Sequence, residues 1–188
     1  MILFVNACVR ASRSRTLRLA DVLLQQLNEP FTELDLYDIT FQNGEYSYIE
    51  TRDLLLFEGD YKHPMFDLAR QFASADTIVI AAPFWDLSFP AILKQYFEQI
   101  NAIGITFKYT EEGYPVGLCK AQKLYYVTTA GGMFFPEEYG FGYIRALAEN
   151  FYGIKECIMF KALGLDIDGA NEEQILQECE KQIHESFE

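Results

Sequence analysis

Three short stretches of this chain combine residue types that bind anions or flat rings. The first, residues 10–18 (RASRSRTLR), holds four arginines and three hydroxyl side chains before the chain's first acid, Asp21. A helical pattern follows at 16–27, and free N–H groups at a helix N-terminus favour anions. In this basic loop we predict a phosphate-type site made of Arg10, Ser12, Ser14, Arg15 and Thr16. The alternative is an ordinary helix cap with solvated arginines.

The second stretch follows an apolar run at residues 77–82 (TIVIAA), which is typical of a buried strand. Pro83 has no N–H for a strand ladder and ends the run. An aromatic loop, residues 83–88, then leads to Pro90 at a helix start. Planar ligands bind where parallel strands end, so we predict that Pro83, Phe84, Trp85, Asp86 and Leu87 contact one. The alternative for the two aromatic side chains is a core or interface role.

The third stretch, residues 129–132, closes a further apolar run at 124–129. We call it the glycine loop, and it consists of Thr129, Ala130, Gly131 and Gly132. Glycines at the end of a strand let a flat ring approach the backbone. All three stretches follow predicted strands, and the carboxyl ends of parallel strands lie at one edge of a sheet. We therefore predict that they form one site.

Several ordered segments strengthen this prediction: Pro83, LKQYF at 93–97, GITFKY at 104–109, Gly117-Leu118 and the glycine loop. Together they resemble the signature of FMN-dependent NAD(P)H:quinone oxidoreductases and azoreductases. The resemblance implies a flavodoxin-like fold, an α/β three-layer sandwich with a five-stranded parallel sheet of order 2-1-3-4-5 and helices on both faces. It covers most of the chain, so we expect residues 1–188 to form a single domain.

The resemblance also implies FMN as cofactor, NADH or NADPH as electron donor, and ping-pong hydride transfer to quinones, azo compounds or similar flat acceptors. The basic loop would hold the phosphate, the aromatic loop would follow the isoalloxazine edge, and the glycine loop would contact its pyrimidine side. Phe107 and Tyr109 would line the acceptor pocket. A homodimer is expected, because clustered aromatic residues at 37–62 and after the strand ends favour an interface.

Two positions depart from the family pattern. Asp86 stands where the family usually has Asn, and an ionised carboxylate cannot donate a hydrogen bond as an amide does. Backbone contacts to the ring would survive, but an anion there would lower the flavin's reduction potential. Cys8 stands where the family often has Ser, and its weak thiol donor leaves it outside the predicted site.

Other chemistries find little support in the sequence. The two histidines, His63 and His184, lie far apart, no cysteine pair has zinc spacing, and neither GxSxG nor GxGxxG occurs. Three alternatives remain open: a flavodoxin-type electron carrier, a flavin reductase without its own small-molecule acceptor, and an interaction protein without cofactor. The aromatic residues of 106–109 favour an enzyme over a carrier.

Charge and composition argue against several kinds of binding partner and location. A net charge of -13 over 188 residues argues against nucleic-acid binding and against anionic membranes. No apolar run approaches the ~20 residues that span a bilayer. The start, MILFVNACVR, lacks a basic leader, and the four cysteines form no paired motif. We therefore expect a cytoplasmic protein whose partners are small molecules.

Periodicity predicts the elements that position these loops. Strands are expected at 2–7, 31–36, 77–82, 124–129 and 154–162, the second at an edge, and helices at 16–27, 63–75, from 91, at 143–152 and at 171–187. Segment 37–62 is the least regular, with a turn at Asn43-Gly44 and one helical turn at 53–57. Residues 111–113 predict a hairpin turn. Alternating strands and helices predict a parallel sheet with right-handed crossovers.

Overall fold

The computed structural model describes residues 1–41 and 45–188, and its centre is a parallel sheet. The sheet strands are β1 (Ile2–Asn6), β2 (Phe31–Asp35), β3 (Thr77–Ala81), β6 (Lys123–Thr129) and β7 (Glu156–Ala162); β4 (Phe107–Tyr109) and β5 (Pro115–Gly117) form a separate antiparallel hairpin. The sheet order is β2-β1-β3-β6-β7. It confirms the predicted five-stranded topology, because β6 and β7 are the fourth and fifth strands of the sheet.

Helices cover both faces of the sheet. They are α1 (Arg15–Leu27), α2 (Tyr46–Glu58), α3 (Asp67–Ser74), α4 (Ala91–Ile100), α5 (Phe141–Leu147) and α6 (Glu172–Glu185). One buried cluster joins α1 and α6 to the sheet, and a second joins α3, α4 and α5 to the opposite face. No helix in the described residues is long and apolar enough to cross a membrane.

The strand sequences explain this three-layer arrangement. In β1, Leu3 and Val5 enter the core beneath α3 to α5, whereas Ile2 and Phe4 enter the core beneath α1 and α6. All five residues of β1 are buried, as an interior strand between two helical layers requires. In β2 the first three residues are exposed, which confirms the predicted edge position.

Segment 37–62 is more regular than the sequence indicates. In place of a single turn at 53–57, the structure has the 13-residue helix α2, which ends at Gly59 with φ +74°. None of its residues is fully buried, and Tyr46, Leu54 and Phe57 are exposed. The amphipathic pattern by which helices are predicted is therefore absent. The predicted turn at Asn43-Gly44 lies outside the described residues.

Two predicted helices are divided. A 3-10 turn, Pro64–Phe66, precedes α3, and the His63 imidazole accepts a hydrogen bond from the Met65 N–H at its start. After α5 the chain continues as a π-helical turn, Ala148–Tyr152. The predicted turn at 111–113 is confirmed, because Gly113 has φ +84° between β4 and β5.

Candidate functional site

The basic, aromatic and glycine loops meet in one cleft at the carboxyl ends of β1, β3 and β6. These strands are neighbours in the sheet, so their last residues lie side by side. The cleft has a volume of about 290 Å³. Its walls are formed by Cys8, Val9, Arg10, Arg13, Ser14, Arg15, Thr16, Pro83, Phe84, Trp85, Thr129, Gly131 and Asp166. The structure therefore brings members of all three predicted stretches together.

The N-terminus of α1 faces this cleft through its capping residue. Ser14 has an extended backbone, and its hydroxyl accepts a hydrogen bond of 3.2 Å from the Leu17 N–H. The Arg18 N–H bonds to the Ser14 carbonyl, so the N–H groups of Arg15 and Thr16 are those that helix geometry leaves without an intrahelical acceptor. Ser14 is thus an ordinary helix cap, and it leaves two backbone N–H donors whose chemistry suits an anion.

The positive charge at this end is smaller than the arginine count implies. Arg15 pairs with Asp166 and Glu172 at 2.7 and 3.0 Å, and Arg18 pairs with Glu173 and Glu180. These partners belong to α6 or to the loop before it. Within the described residues Arg10 and Arg13 form no ion pair, and both line the cleft, although Arg10 is near enough to Asp166 to help lower the pKa of that carboxyl.

A buried hydroxyl pair ties the basic loop to the glycine loop. Thr16 Oγ1 and Thr129 Oγ1 are 2.6 Å apart, and both residues are almost fully buried. One hydroxyl must donate to the other, which leaves one proton of the pair free to donate elsewhere. Because both residues line the cleft, this second proton is available to a ligand.

A tight turn forms the aromatic loop. Trp85 and Ser88 exchange two backbone hydrogen bonds, of 2.9 and 2.8 Å, across Asp86 and Leu87. Both central residues have positive φ, +49° and +68°, which is the geometry of a type I′ turn. Leucine is unfavourable there, so the rest of the fold must hold the loop in this shape.

Neighbouring segments support the aromatic loop. The Phe84 N–H donates to the Thr129 carbonyl at 2.9 Å, and the Phe84 ring packs on Phe135 with centroids 4.5 Å apart. The Ser88 hydroxyl donates to the Tyr139 carbonyl at 2.6 Å. These contacts hold Phe84 and Trp85 at the wall of the cleft, where a flat ligand could pack on them.

Gly131 and Gly132 occupy different surroundings. A Cβ on Gly131 would lie 2.2 Å from Oδ2 of Asp166, whereas a Cβ on Gly132 would meet nothing within 4 Å. The sequence predicts that both glycines make room for a ring. At Gly131 the Asp166 side chain lies in the Cβ direction, whereas at Gly132 that direction is open, and a ring contact at either glycine remains a prediction.

The other predicted site residues lie outside the cleft wall. They are Ser12, Asp86, Leu87, Ala130, Gly132, Phe107 and Tyr109. Asp86 and Leu87 are exposed at the tip of the aromatic loop, and Ala130 is buried. Phe107 is buried in the β4–β5 hairpin against Phe151, and Tyr109 beside it is half exposed. A ligand contact at these positions remains a prediction.

Four cleft residues were not predicted: Cys8, Val9, Arg13 and Asp166. Arg13 carries the same sequence signal as Arg10. Burial raises the pKa of Cys8 to about 12, and its thiol bonds to the Ala81 carbonyl, so it is neutral at physiological pH. Asp166 has no local signal, because its contacts are distant in sequence. No metal-binding cluster occurs among the described residues.

Comparisons with known proteins agree with the fold. Residues 1–187 match the model of a family described as having a flavodoxin-like fold. An FMN-dependent NADH:quinone oxidoreductase of Clostridium beijerinckii is 34% identical over 95% of this chain and 93% of the relative. A relative from Clostridium acetobutylicum, named FMN-dependent NADH:quinone oxidoreductase 2, is 38% identical over 94% of this chain and 92% of the relative. A crystal structure of azoreductase from Bacillus anthracis superposes with a TM-score of 0.83 at 25% identity, covering 99% of this chain and 97% of that one.

Proposed function

This chain belongs to the family with a flavodoxin-like fold, and from that premise we propose that it is an FMN-dependent NADH:quinone oxidoreductase. Relatives that match it over nearly their whole length carry that name. The observation that carries the proposal is the cleft itself, which is lined by the N-terminus of α1, by Phe84 and Trp85, and by two arginines, Arg10 and Arg13, that form no ion pair within the described residues. This arrangement suits a ligand with a phosphate at one end and a flat ring at the other.

The residues present fit FMN. Arg10 and Arg13, with the N–H groups of Arg15 and Thr16, would hold the phosphate. Phe84, Trp85 and the glycine loop would hold the isoalloxazine ring. Bound FMN would supply the redox chemistry, by accepting a hydride from NADH and reducing a quinone or azo compound. The fit therefore rests on this chain's donors and aromatic wall.

The protein's own task is then to bind, orient and exclude water. Trp85 is partly exposed and Phe84 is half-buried, so the aromatic loop can cover one side of a ring and leave another open to solvent. The buried Thr16–Thr129 pair keeps α1 fixed against β6. A rigid cleft of this kind positions donor and acceptor at the same open side in turn, as a ping-pong order requires.

We also propose that the protein is a homodimer. Its exposed aromatic residues support this, because Phe57, Tyr46 and Phe134 have exposed fractions of 90%, 77% and 76%. Soluble monomers rarely expose large contiguous apolar patches. Tyr109 and Tyr139 are exposed as well, and a partner covering them would complete an acceptor pocket that includes Tyr109.

Two further proposals concern organisation and location. Residues 1–188 form one domain, which is supported by one five-stranded sheet whose strands come from residues between Ile2 and Ala162, with helices on both faces. The location is cytoplasmic. All four cysteines, which lie within the described residues, are unpaired, as is usual in a reducing compartment.

Steady-state kinetics of the FMN-loaded protein test the proposed activity. With NADH and a benzoquinone varied together, double-reciprocal plots should give parallel lines, because donor and acceptor use one side of the ring in turn. A flavin-loaded protein that reduces neither quinones nor azo dyes would instead be an electron carrier. Replacing NADH with NADPH in the same assay measures the donor preference.

A further inference from the structure

Asp166 connects two parts of the cleft that come from distant regions of the sequence. It lies between β7 and α6, and its backbone N–H donates to the Gly131 carbonyl at 2.9 Å. The preceding Leu165 N–H donates to the Ala130 carbonyl, and the Gly164 N–H donates to the Gly132 carbonyl. This run of hydrogen bonds fixes the backbone of Asp166 against the glycine loop.

The side chain of Asp166 is largely exposed, and an ion pair ties it to α1. Its Oδ1 accepts a hydrogen bond of 2.7 Å from Nη1 of Arg15, which also contacts Glu172. Its Oδ2 occupies the place where a Cβ on Gly131 would stand. Within the part of the chain that the structure describes, Oδ2 has no hydrogen-bond partner, although the residue lines the cleft. One carboxylate oxygen is thus left for a ligand.

The charge of Asp166 limits what that ligand group can be. The hydrogen bond from Arg15 lowers the pKa of the carboxyl, so at neutral pH it is an anion that only accepts hydrogen bonds. A phosphate group beside it would be repelled. The carboxylate lies between the phosphate end, at Arg15, and the glycine loop, at Gly131. A neutral donor located between a phosphate and a ring fits this place.

We propose that Asp166 Oδ2 accepts a hydrogen bond from a hydroxyl of the cofactor's polyol chain, and so makes the cleft specific for flavins that carry this chain. The inference rests on the proposed function, because FMN is the ligand that joins a phosphate to a ring through such a polyol. Asp166 therefore recognises the middle of the ligand, while the basic loop recognises its end.

Three ligands and one substitution test this assignment. Apoprotein is titrated with FMN, with riboflavin, which lacks the phosphate, and with lumiflavin, which lacks the polyol. In Asp166→Ala the Kd of riboflavin should rise roughly tenfold, which corresponds to ~1.4 kcal/mol and to one hydrogen bond with a charged acceptor. FMN should lose less, because the substitution also removes a repulsion of its phosphate. Lumiflavin affinity should not change.

Two control variants show whether an effect of Asp166→Ala comes from losing any carboxylate of this loop or from releasing Arg15. Asp168→Ala removes a carboxylate from the same loop outside the cleft and should leave all three affinities unchanged. Glu172→Ala releases Arg15 from its other partner, and it should leave riboflavin binding unchanged. An unchanged riboflavin affinity in Asp166→Ala, or an equal loss for all three ligands, would overturn the inference. A wild-type protein that binds none of the three would instead overturn the proposed function.

Discussion

At the residue scale, arginines that are close in sequence have different tasks. Arg15 and Arg18 are neutralised by acids of the C-terminal region, whereas Arg10 and Arg13 line the cleft without an ion pair among the described residues. The difference follows from the helix: Arg15 and Arg18 are three positions apart on α1 and share the face toward α6. The phosphate therefore has two free guanidinium groups available.

Replacing Arg10 and Arg13 together by Gln should weaken FMN binding and leave riboflavin binding almost unchanged. The lost charged hydrogen bonds are worth about 1–3 kcal/mol each where the arginines contact the phosphate directly. Isothermal titration of the apoprotein measures both affinities. Arg52→Gln, which alters charge on α2 outside the cleft, is the control. Equal losses for FMN and riboflavin would show that these arginines do not bind the phosphate.

Asp86→Asn should raise the reduction potential of the bound flavin, because a carboxylate next to the ring disfavours its reduced, anionic form. The effect of one charge at this exposed position is about 1 kcal/mol. Asparagine tolerates the positive φ of residue 86, so the turn should persist. Spectroelectrochemical titration measures the potential. An unchanged value would place Asp86 away from the ring.

Some residues of the cleft can be predicted from the sequence, and others cannot. The basic, aromatic and glycine loops are each recognisable because their residues are consecutive and follow a strand. Asp166 cannot be recognised in this way, because its hydrogen-bond partner Arg15 lies 151 positions away in the sequence. Gly131 illustrates the same limit: a Cβ there would lie 2.2 Å from the Asp166 carboxylate, a contact that only the folded structure creates.

At the element scale, α6 acts as a brace for α1, whose N-terminus forms the anion site. Glu173 pairs with Arg18, whose hydrogen bond lowers the pKa of the carboxyl from 4.5 to about 2. A carboxylate with a lower pKa in the folded state contributes stability above its ordinary pKa. That contribution is lost as the pH falls from 4.5 toward 2.

Arg18→Gln should therefore lower the free energy of unfolding at neutral pH, and the difference from wild type should shrink as the medium is acidified. Urea unfolding at a series of pH values measures it. Lys181→Gln is the control, since its partner Glu185 lies on the same helix and its loss leaves the α1–α6 contact intact. A difference independent of pH would contradict the brace.

Leu87→Gly should stabilise the protein by about 1 kcal/mol, because glycine adopts the positive φ of the type I′ turn without strain. Thermal unfolding measures this. Leu54→Gly serves as an opposite control: Leu54 is exposed within α2, and glycine there should destabilise by about 1 kcal/mol. Destabilisation at position 87 would show that the Leu87 side chain contributes contacts that outweigh the strain.

The elements differ in how far sequence patterns predict them. The strands and α1, α4 and α6 carry clear apolar periodicity, because they face a buried layer. Helix α2 has no fully buried residue, and its apolar side chains are spread around its surface, so periodicity indicates only one turn there. The same exposure makes α2 a candidate for contact with a second copy.

At the scale of the whole molecule, the exposed aromatic surface predicts a dimer. Sedimentation at micromolar concentration should give a mass near twice 21.7 kDa. Phe57→Ser, on α2, should shift the protein toward monomer, because it removes an aromatic side chain that is 90% exposed. Phe31→Ser changes an exposed aromatic residue on β2, in another part of the fold, and should leave the mass unchanged. An active species near 21.7 kDa would contradict the dimer and the acceptor contact of Tyr109.

The proposed activity depends on FMN binding in the cleft. The visible absorption spectrum of the purified protein, after incubation with FMN and gel filtration, tests it most directly. We predict an absorbance band near ~450 nm that co-elutes with the protein, is bleached by NADH without oxygen, and returns when a quinone is added. A protein that elutes without this band after exposure to excess FMN would contradict the account.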